Sequence, residues 1–353
     1  MTSGTRTTDH LREEALLLAM ERVLITGGAG FIGSHFVDRL IANGVSEVVV
    51  LDNLNRGRLE NLKGSWERMR FMQGDIRDRR LLRELLPGKD VVFHLAAVSR
   101  VVEAEEDLDR TFAVNVQGTF NVLSAALEAG VHRVVFASSR EVYGEPDYLP
   151  VPEKAPLKPK NGYGTSKASA ELWCRLFRCR GLDVVILRLA NVYGPRDYGR
   201  VIPTFLECAR KGQPLVLYGG RQVLDFIWIE TVVEVLIRAG TMKLLAGVDA
   251  VNVGSGKGVA LTELADQVRS RVTHPVPIQV HPSRAVDVDR FVADIDQLQR
   301  LFGVIPEEDP LAHLGELVSE GTLLSPDEGS RLDVRQGGLP PPETEIARKA
   351  RSW

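Results

Sequence analysis

Cysteine is scarce in this chain of 353 residues. The three that occur, Cys174, Cys179 and Cys208, include no CxxC pair, so a disulfide framework is not expected. All three lie in segments with helical patterning, where we expect a buried apolar thiol rather than a nucleophile. The seven histidines lack the spacing of metal ligands, and no metal site is predicted. The low cysteine content also indicates a reducing, cytoplasmic compartment.

Long apolar runs and a large excess of one charge are absent as well. No apolar stretch approaches the roughly 20 residues that a membrane-spanning helix needs. A formal net charge of −3 argues against a general nucleic-acid binder. Residues 1–19 lack the basic start, apolar core and cleavage site of a signal peptide, and Met20 directly precedes a predicted strand. We therefore expect neither nucleic acid nor membrane as a partner, and interpret residues 1–19 as an N-terminal extension.

The glycine-rich segment RVLITGGAGFIG, residues 22–33, predicts a buried strand, a tight turn and the start of a helix. Such a turn directs the first N–H groups of the helix at an anion, and glycines let a pyrophosphate approach the backbone closely. A second apolar run ends in Asp52, near the offset at which an acidic side chain accepts from an adenosine ribose hydroxyl. The pattern predicts NAD, because Asp52 would repel the 2′-phosphate of NADP. Arg56 and Arg58 nearby leave NADP open.

Further apolar runs predict more strands, each followed by a helical pattern. They cover residues 71–74, 91–95, 134–137 and 184–189. We therefore predict an α/β fold, with a Rossmann-type doubly wound parallel sheet in residues 20–196. The strict alternation loosens beyond residue 197, which indicates a smaller C-terminal α/β substrate lobe over 197–330, interleaved with the first domain. Residues 331–353 are polar and proline-rich, and are expected to form a flexible tail.

Two polar residues of this pattern have alternative interpretations. Asp75 follows the third predicted strand, where it would contact adenine or cap the next helix. Asn115 lies inside a long predicted helix, residues 108–129, as a buried structural amide or as a contact near the nicotinamide.

Arg284 belongs to a basic segment of the C-terminal lobe, of the kind that holds diphosphates bidentately.

Hydroxyl, carboxylate and amine side chains gather after the fifth predicted strand. Ser139 and Glu141 belong to the segment SSREVYG, residues 138–144, and would face the carboxyl edge of the sheet. Tyr163 and Lys167 stand four residues apart at the start of a helix, so both project from one face. A tyrosine and a lysine at this spacing mean little alone, but they are informative after a serine-tipped strand in a dinucleotide-binding sheet.

Taken together, these segments resemble the extended short-chain dehydrogenase/reductase superfamily, in its NAD-dependent nucleotide-sugar epimerase/dehydratase branch, and are UDP-glucose 4-epimerase-like. The resemblance spans roughly residues 22–303. Its motifs are GGAGFIG (27–33), Asp52-Asn53, Gly74-Asp75-Ile76, HLAA (94–97), Asn115, SSREVYG (138–144), YGTSK (163–167), RLANVYGPR (188–196) and Asp225-Phe226. So many motifs in one order support family membership more strongly than they support a substrate.

The resemblance implies roles for matching positions. It implies catalytic roles for Ser139, Tyr163, Lys167 and Glu141, with Tyr163 as general base. It implies NAD contacts from Gly27, Gly30, Phe31, Ile32, Gly33, Asp52, Asn53, Asp75, Ile76, Leu95, Ala96, Ala97, Asn115, Tyr163 and Lys167. It implies contacts to a nucleotide-sugar, a UDP-sugar first of all, from Ser139, Asn191, Arg196, Val201, Arg221 and Arg284. It also implies a homodimer formed through helices 108–129 and 163–180.

The implied chemistry is epimerisation at C4 of a UDP-hexose through a transient 4-keto intermediate. The C4 hydroxyl must lose its proton, and a tyrosine with a pKa near 10 is a poor base at neutral pH. A cationic Lys167 beside Tyr163 would lower that pKa. Ser139 would orient the hydroxyl and relay the proton.

Two positions depart from the resemblance. Sugar 4,6-dehydratases of this branch have an Asp-Glu pair after the Ser/Thr, whereas this chain has Arg140 and Glu141. This departure favours an epimerase and keeps a dehydratase that uses Glu141 as the alternative. Leu224 stands where most relatives have a phosphate-binding arginine, for which Arg221 is a candidate substitute. That change leaves the nucleotide open.

Two further hypotheses fit the same fold. The first is a reductase or decarboxylase, which would share the Tyr163 and Lys167 pair, and the second is a non-catalytic NAD-binding protein. A non-catalytic protein would be expected to lose its catalytic side chains, and Ser139, Tyr163 and Lys167 are all present.

Overall fold

The computed structural model describes residues 20–242 and 248–319. Strands β1 to β13 comprise Arg22–Thr26, Glu47–Asp52, Arg70–Gln73, Val91–His94, Arg133–Ser139, Asp183–Leu189, Asn191–Tyr193, Leu215–Tyr218, Val223–Trp228, Val251–Val253, Gly258–Ala260, Ile278–His281 and Arg290–Phe291. Helices α1 to α10 comprise Phe31–Ala42, Arg79–Leu85, Val101–Glu106, Leu108–Thr111, Thr119–Glu128, Gly162–Cys179, Val201–Arg210, Ile229–Thr241, Leu261–Arg269 and Leu314–Ser319. The extension 1–19 and the tail 331–353 lie outside the described residues.

Seven strands form one parallel sheet in the order β3-β2-β1-β4-β5-β6-β10. The first six follow the order of a dinucleotide-binding sheet, which reverses direction between β1 and β4. Ligands of such sheets bind outside the carboxyl ends of the strands at this reversal. The predicted Rossmann-type doubly wound sheet is confirmed.

Alternation along each strand explains why the sheet is covered on both faces. In β1, Val23 and Ile25 pack with α1 and α8 on one face, while Leu24 packs on the other face in the cluster that includes α5 and α6. Burial on both faces accounts for the continuous apolar runs that predicted the strands.

The C-terminal lobe is built around β9, which pairs with β7, β11 and β13. A separate apolar cluster fills it, including Phe205, Leu224 and Phe226. The chain also returns to the large sheet, because β10 pairs with β6 and α8 packs against α1. All described residues belong to one compact unit, so the boundary at residue 196 stays a prediction.

Two local expectations were wrong, and one of the two alternatives for Asp75 is excluded. The predicted continuous helix 108–129 has a π-helical turn, Phe112–Gly118, between α4 and α5. The cap of α2 is Asp78, whose carboxylate accepts from the Arg80 and Leu81 N–H groups, so Asp75 is not an N-cap. Cys174 is buried as expected, and burial raises its pKa to about 12. Cys208 is only partly buried, and Cys179 is exposed because α6 ends there.

Within residues 20–242 and 248–319, no helix has both the length and the apolar character needed to cross a membrane. The same residues contain no group of three or more side chains that could hold a metal ion.

Candidate active site

The turn between β1 and α1 forms a cradle for an anion. Gly27 has a φ of 75°, and a Cβ there would lie 2.7 Å from the Ala96 nitrogen. A Cβ at Gly33 would collide with the Gly27 carbonyl oxygen. Gly30 precedes α1, and its lack of a side chain leaves the first N–H groups of the helix without a side-chain cap. These features fit a dinucleotide pyrophosphate at the helix N-terminus.

We expect Gly33→Ala to raise the dissociation constant for NAD at least about 10-fold, equivalent to roughly 1.4 kcal/mol. The added methyl group must displace the Gly27 carbonyl and therefore the turn. Calorimetric titration of the nucleotide-free protein with NAD measures this change. Gly64→Ala is the matched control, because a Cβ at Gly64 meets no atom within 4 Å. Equal affinity of the two variants would contradict the assignment of the cradle.

Asp52 closes the adenosine end of the same cleft. Its carboxylate accepts from the Ala29 nitrogen at 3.0 Å and from the Leu54 nitrogen at 2.8 Å, which ties β2 to the glycine turn. Burial raises the pKa of Asp52. Asn53 donates to Asp75 at 2.9 Å, and, against the effect of burial, hydrogen bonds from Arg77 and Asn53 lower the pKa of Asp75 to about 2. Both carboxylates line the cleft.

One cavity of about 700 Å³ runs from this end to the C-terminal lobe. It brings together nearly all of the sequence-predicted site residues. They are Gly27, Gly30, Phe31, Ile32, Gly33, Asp52, Asn53, Asp75, Ile76, Leu95, Ala96, Ala97, Ser139, Glu141, Tyr163, Lys167, Asn191, Arg196, Val201 and Arg284.

Asn115 and Arg221 are not among the described residues that line the cavity. The Asn115 amide accepts from the Val98 nitrogen and donates to the Val98 oxygen and to Ser166, all at 2.8–2.9 Å. The π-helical turn thus supports the loop after β4, which favours the structural interpretation. Arg221 is exposed in this structure, so its role as a substitute for an arginine at position 224 stays a prediction.

Ser139, Tyr163 and Lys167 meet where β5 ends beside α6. The Ser139 hydroxyl lies close enough to Tyr163 to lower the pKa of the tyrosine. The Lys167 ammonium is buried, donates to the Ala137 carbonyl at 2.7 Å and lies 6.0 Å from the centre of the Tyr163 ring. Burial lowers the pKa of Lys167 to about 8.

The electrostatics of Tyr163 differ from the sequence-based expectation. Burial raises its pKa, while the Ser139 hydroxyl and the charges of Arg200 and Arg140 lower it. In this structure the Lys167 ammonium is directed at a backbone carbonyl, so it is the serine and the arginines that favour the tyrosinate. Sequence reasoning missed the contribution of Arg140 and Arg200 because it treated the i, i+4 pair alone.

Glu141 is held on both carboxylate oxygens. The Arg140 guanidinium lies 2.8 Å from Oε1, and the Asn161 amide donates to Oε2 at 2.8 Å. Asn161 is also the N-cap of α6, since its side chain accepts from the Gly164 nitrogen. The carboxylate is therefore fixed relative to the helix that carries Tyr163.

His94 is a buried residue that sequence reasoning left without a role. Thr119 donates to the Asn115 carbonyl at 2.6 Å, so its oxygen accepts from His94 Nε2 at 2.9 Å. His94 Nδ1 then accepts from Thr26 at 2.7 Å, and Thr26 accepts from the Ala96 nitrogen at 3.3 Å. The neutral His94 tautomer with its proton on Nε2 thus connects the π-helical turn to Ala96, whose backbone lies against Gly27.

This network predicts a pH dependence of stability. Burial, reinforced by the charge of Lys167, lowers the pKa of His94 to about 3. The unfolded chain binds the proton below its ordinary pKa of about 6.5, so stability is complete above that pH and falls as the pH is lowered towards 3. Between pH 7.5 and pH 5 we expect His94 to account for a loss of about 2 kcal/mol in the free energy of unfolding.

Urea unfolding of the wild type and His94→Gln at both pH values measures this loss. The variant should show a smaller decrease, whereas replacement of the exposed His132 by Gln should leave the decrease unchanged. Equal decreases in all three proteins would contradict the assignment.

The opposite end of the cavity carries the predicted nucleotide-sugar contacts. Asn191 donates to the Asp225 carbonyl at 2.9 Å, and Arg196 is paired with Asp38 at 2.7 Å. Arg284 lies 4.5 Å from the Tyr218 ring centre and donates to Asp287.

Asp225 itself is fully buried below this end of the cavity. Its carboxylate accepts from the Ser255, Gly256 and Ala293 nitrogens and from the Ser255 hydroxyl, so Asp225 is structural here. Phe226, the other residue of the motif, lines the cavity.

The model of the NAD-dependent epimerase/dehydratase family matches residues 23–254. The chain belongs to this family. Among its relatives, UDP-glucose 4-epimerase of Mycolicibacterium smegmatis is 36% identical over 81% of this chain and 94% of its own. UDP-N-acetyl-alpha-D-glucosaminuronate decarboxylase of Bacillus cytotoxicus is 32% identical over 80% of this chain and 91% of its own.

A solved structure of the dTDP-glucose 4,6-dehydratase DesIV from Streptomyces venezuelae, with NAD bound, superimposes with a TM-score of 0.78. It is 35% identical and covers 84% of this chain and 95% of its own. NAD is the cofactor of this family member, which agrees with the glycine cradle and Asp52. Epimerases, dehydratases and decarboxylases all occur among its relatives, so its catalytic reaction depends on its own side chains.

Proposed function

We propose that this protein is an NAD-dependent nucleotide-sugar epimerase that acts at C4 of a UDP-hexose. The observation that carries the proposal is the convergence of Ser139, Tyr163 and Lys167 in the cavity that also contains the glycine cradle. A hydroxyl base next to a dinucleotide site suits the oxidation of a secondary alcohol.

Each side chain of the site would have its own role in the reaction. Tyr163 removes the proton of the C4 hydroxyl, and the neighbouring Ser139 orients that hydroxyl and relays the proton. NAD, held by the glycine turn and Asp52, would accept and return the hydride. Once the 4-keto intermediate has turned over in the cavity, hydride would return to the opposite face of C4. Tyr163 then returns the proton to the C4 oxygen, which completes the opposite epimer.

The surroundings of Glu141 support epimerisation over the alternative, 4,6-dehydration. Loss of a C6 hydroxyl as water requires a proton donor close to that hydroxyl. Both oxygens of Glu141 face donors, the Arg140 guanidinium and the Asn161 amide, so the carboxylate is arranged as an acceptor. Dehydratase activity would need Glu141 to leave this pairing.

Product analysis tests the proposal. The NAD-loaded protein is incubated with UDP-, dTDP- and GDP-hexoses and uronates. The products are separated by ion-exchange chromatography, and their masses are measured by mass spectrometry. We expect a new peak of unchanged mass with inverted C4. A product lighter by one water would instead establish the dehydratase, and no conversion of any sugar would overturn both.

We also propose that the protein is a homodimer formed through the two neighbouring helical segments 108–128 and 162–179. The ring of Phe120 packs on Trp173 at 4.9 Å and joins the segments. Their outer side exposes apolar side chains, with Phe112 61% exposed and Leu172 64% exposed. A shared apolar face of this kind is typical of an interface.

Light scattering after gel filtration tests the dimer. Phe112→Asp with Leu172→Asp should yield a monomer, because the charges would be buried unpaired at the interface. Val280→Asp, at a position 65% exposed in the other lobe, should leave the mass unchanged. A monomeric wild type would contradict this proposal.

A further inference from the structure

Arg140 is one of six cavity-lining residues with a buried polar atom that lacks a hydrogen-bond partner among the described residues, and it is the one that directly follows Ser139. Only 8% of it is exposed, and its guanidinium lies 2.8 Å from Glu141 and 5.7 Å from the centre of the Phe291 ring. The second terminal nitrogen, Nη1, is buried and has no hydrogen-bond partner among the described residues. Burial of an unsatisfied charged donor is costly, so a ligand that supplies an acceptor at this point gains affinity.

The surroundings of Arg140 leave room for this role. Phe291 pairs with Leu224 between β13 and β9, and both Arg140 and Leu224 line the cavity. Arg221, the candidate substitute by sequence, is exposed and outside the lining.

Position within the cavity indicates which part of a nucleotide-sugar would meet Arg140. Arg140 directly follows Ser139, and its paired Glu141 is tied by Asn161 to the start of the helix that carries Tyr163. The proposed reaction places C4 of the sugar at Ser139 and Tyr163. Carbon 6 is two bonds from C4, whereas the diphosphate is attached at C1 across the ring. A side chain beside the catalytic pair is therefore near C6 and far from the phosphates.

We propose that Arg140 binds a carboxylate at C6, and that the preferred substrate class is a nucleotide-hexuronate. This inference rests on the proposed function for the placement of C4. A planar guanidinium with a free N–H matches a carboxylate oxygen and forms a charge-assisted bond. A C6 hydroxyl offers only a neutral acceptor. Glu141 stays paired through the other nitrogen and holds the fork in place.

The test compares kcat/KM for UDP-glucuronate and UDP-glucose with the NAD-loaded protein. We expect the wild type to favour the uronate by at least about 30-fold, as the loss of a charge-assisted hydrogen bond implies. Arg140→Gln should reduce this ratio at least about 10-fold, and Arg140→Lys should retain part of it. Arg80→Gln, at an arginine that is 90% exposed and outside the cavity lining, should keep the wild-type ratio. A wild type that favours UDP-glucose, or an unchanged ratio in Arg140→Gln, would overturn the inference.

Calorimetric binding of the same two sugars separates this inference from the proposed function. Tighter binding of UDP-glucuronate by the wild type, lost in Arg140→Gln, supports the role of Arg140 even when neither sugar is epimerised. A uronate product lighter by carbon dioxide would likewise support Arg140 and contradict the epimerase. Circular dichroism and NAD affinity show whether each variant is folded, and equal binding of both sugars by the wild type overturns the inference without any variant.

Discussion

Replacement of Tyr163 by phenylalanine is expected to lower kcat about 1,000-fold, within the range that a positioned general base contributes. The substitution removes only the hydroxyl, which lies beside Ser139. The ring remains to pack beside Lys167, whose ammonium is held by the Ala137 carbonyl. NAD affinity should therefore change by less than about twofold, since the cradle and Asp52 are untouched. Steady-state kinetics and a calorimetric NAD titration measure the two quantities.

Tyr148→Phe is the matched control, because Tyr148 is 54% exposed and lies outside the cavity lining. It should retain wild-type kcat. Wild-type turnover by Tyr163→Phe would remove the assigned base and with it the proposed mechanism. A Tyr163-dependent activity would also exclude a non-catalytic NAD-binding protein.

Glu171→Gln is expected to lower the free energy of unfolding by about 3–5 kcal/mol. Glu171 and Arg188 form an ion pair at 2.7 Å in which neither side chain is more than 1% exposed. Glu171 also accepts from the Ser138 hydroxyl at 2.6 Å and pairs with Arg175. A neutral amide would leave the Arg188 guanidinium buried without its counter-charge, and such a charge is far costlier than the intact pair.

Urea unfolding at pH 7.5 measures this change. Glu84→Gln is the control, because its partner Arg80 is 90% exposed and an exposed pair contributes less than about 1 kcal/mol. A similar small change in both variants would show that the buried pair does not stabilise the fold. Glu171 holds Ser138, which directly precedes the catalytic Ser139. The kcat of Glu171→Gln relative to the wild type therefore measures how much the ion pair contributes to the position of Ser139.

Most of the fold could be predicted because its signals are local. Apolar runs with a glycine turn after the first of them predict strands, and a tyrosine and a lysine four residues apart predict a shared helix face. Parallel pairing then brings Asp52, Ser139 and the helix with Tyr163 to one edge without knowledge of any contact.

The rest of the site depends on contacts between residues far apart in sequence. In the sequence, Arg140 was notable only because it replaces the aspartate of the dehydratases. In the structure it is a buried cation between Glu141 and Phe291. Asp225 belongs to a family motif, but its four accepted hydrogen bonds come from residues 255, 256 and 293. The π-helical turn at Asn115 is set by the loop after β4 that it supports. No periodicity in the sequence encodes such partners.

Turnover of UDP-glucose and UDP-glucuronate in heavy water, followed by NMR of the C4 position, directly tests hydride transfer at C4. The proposed mechanism predicts inversion at C4 with no deuterium at that carbon, since the hydrogen leaves as hydride and returns without exchange with solvent, while Tyr163 exchanges only the hydroxyl proton. Deuterium at C4 of the product would contradict it, because the C–H bond would then have been broken as a proton transfer to a base.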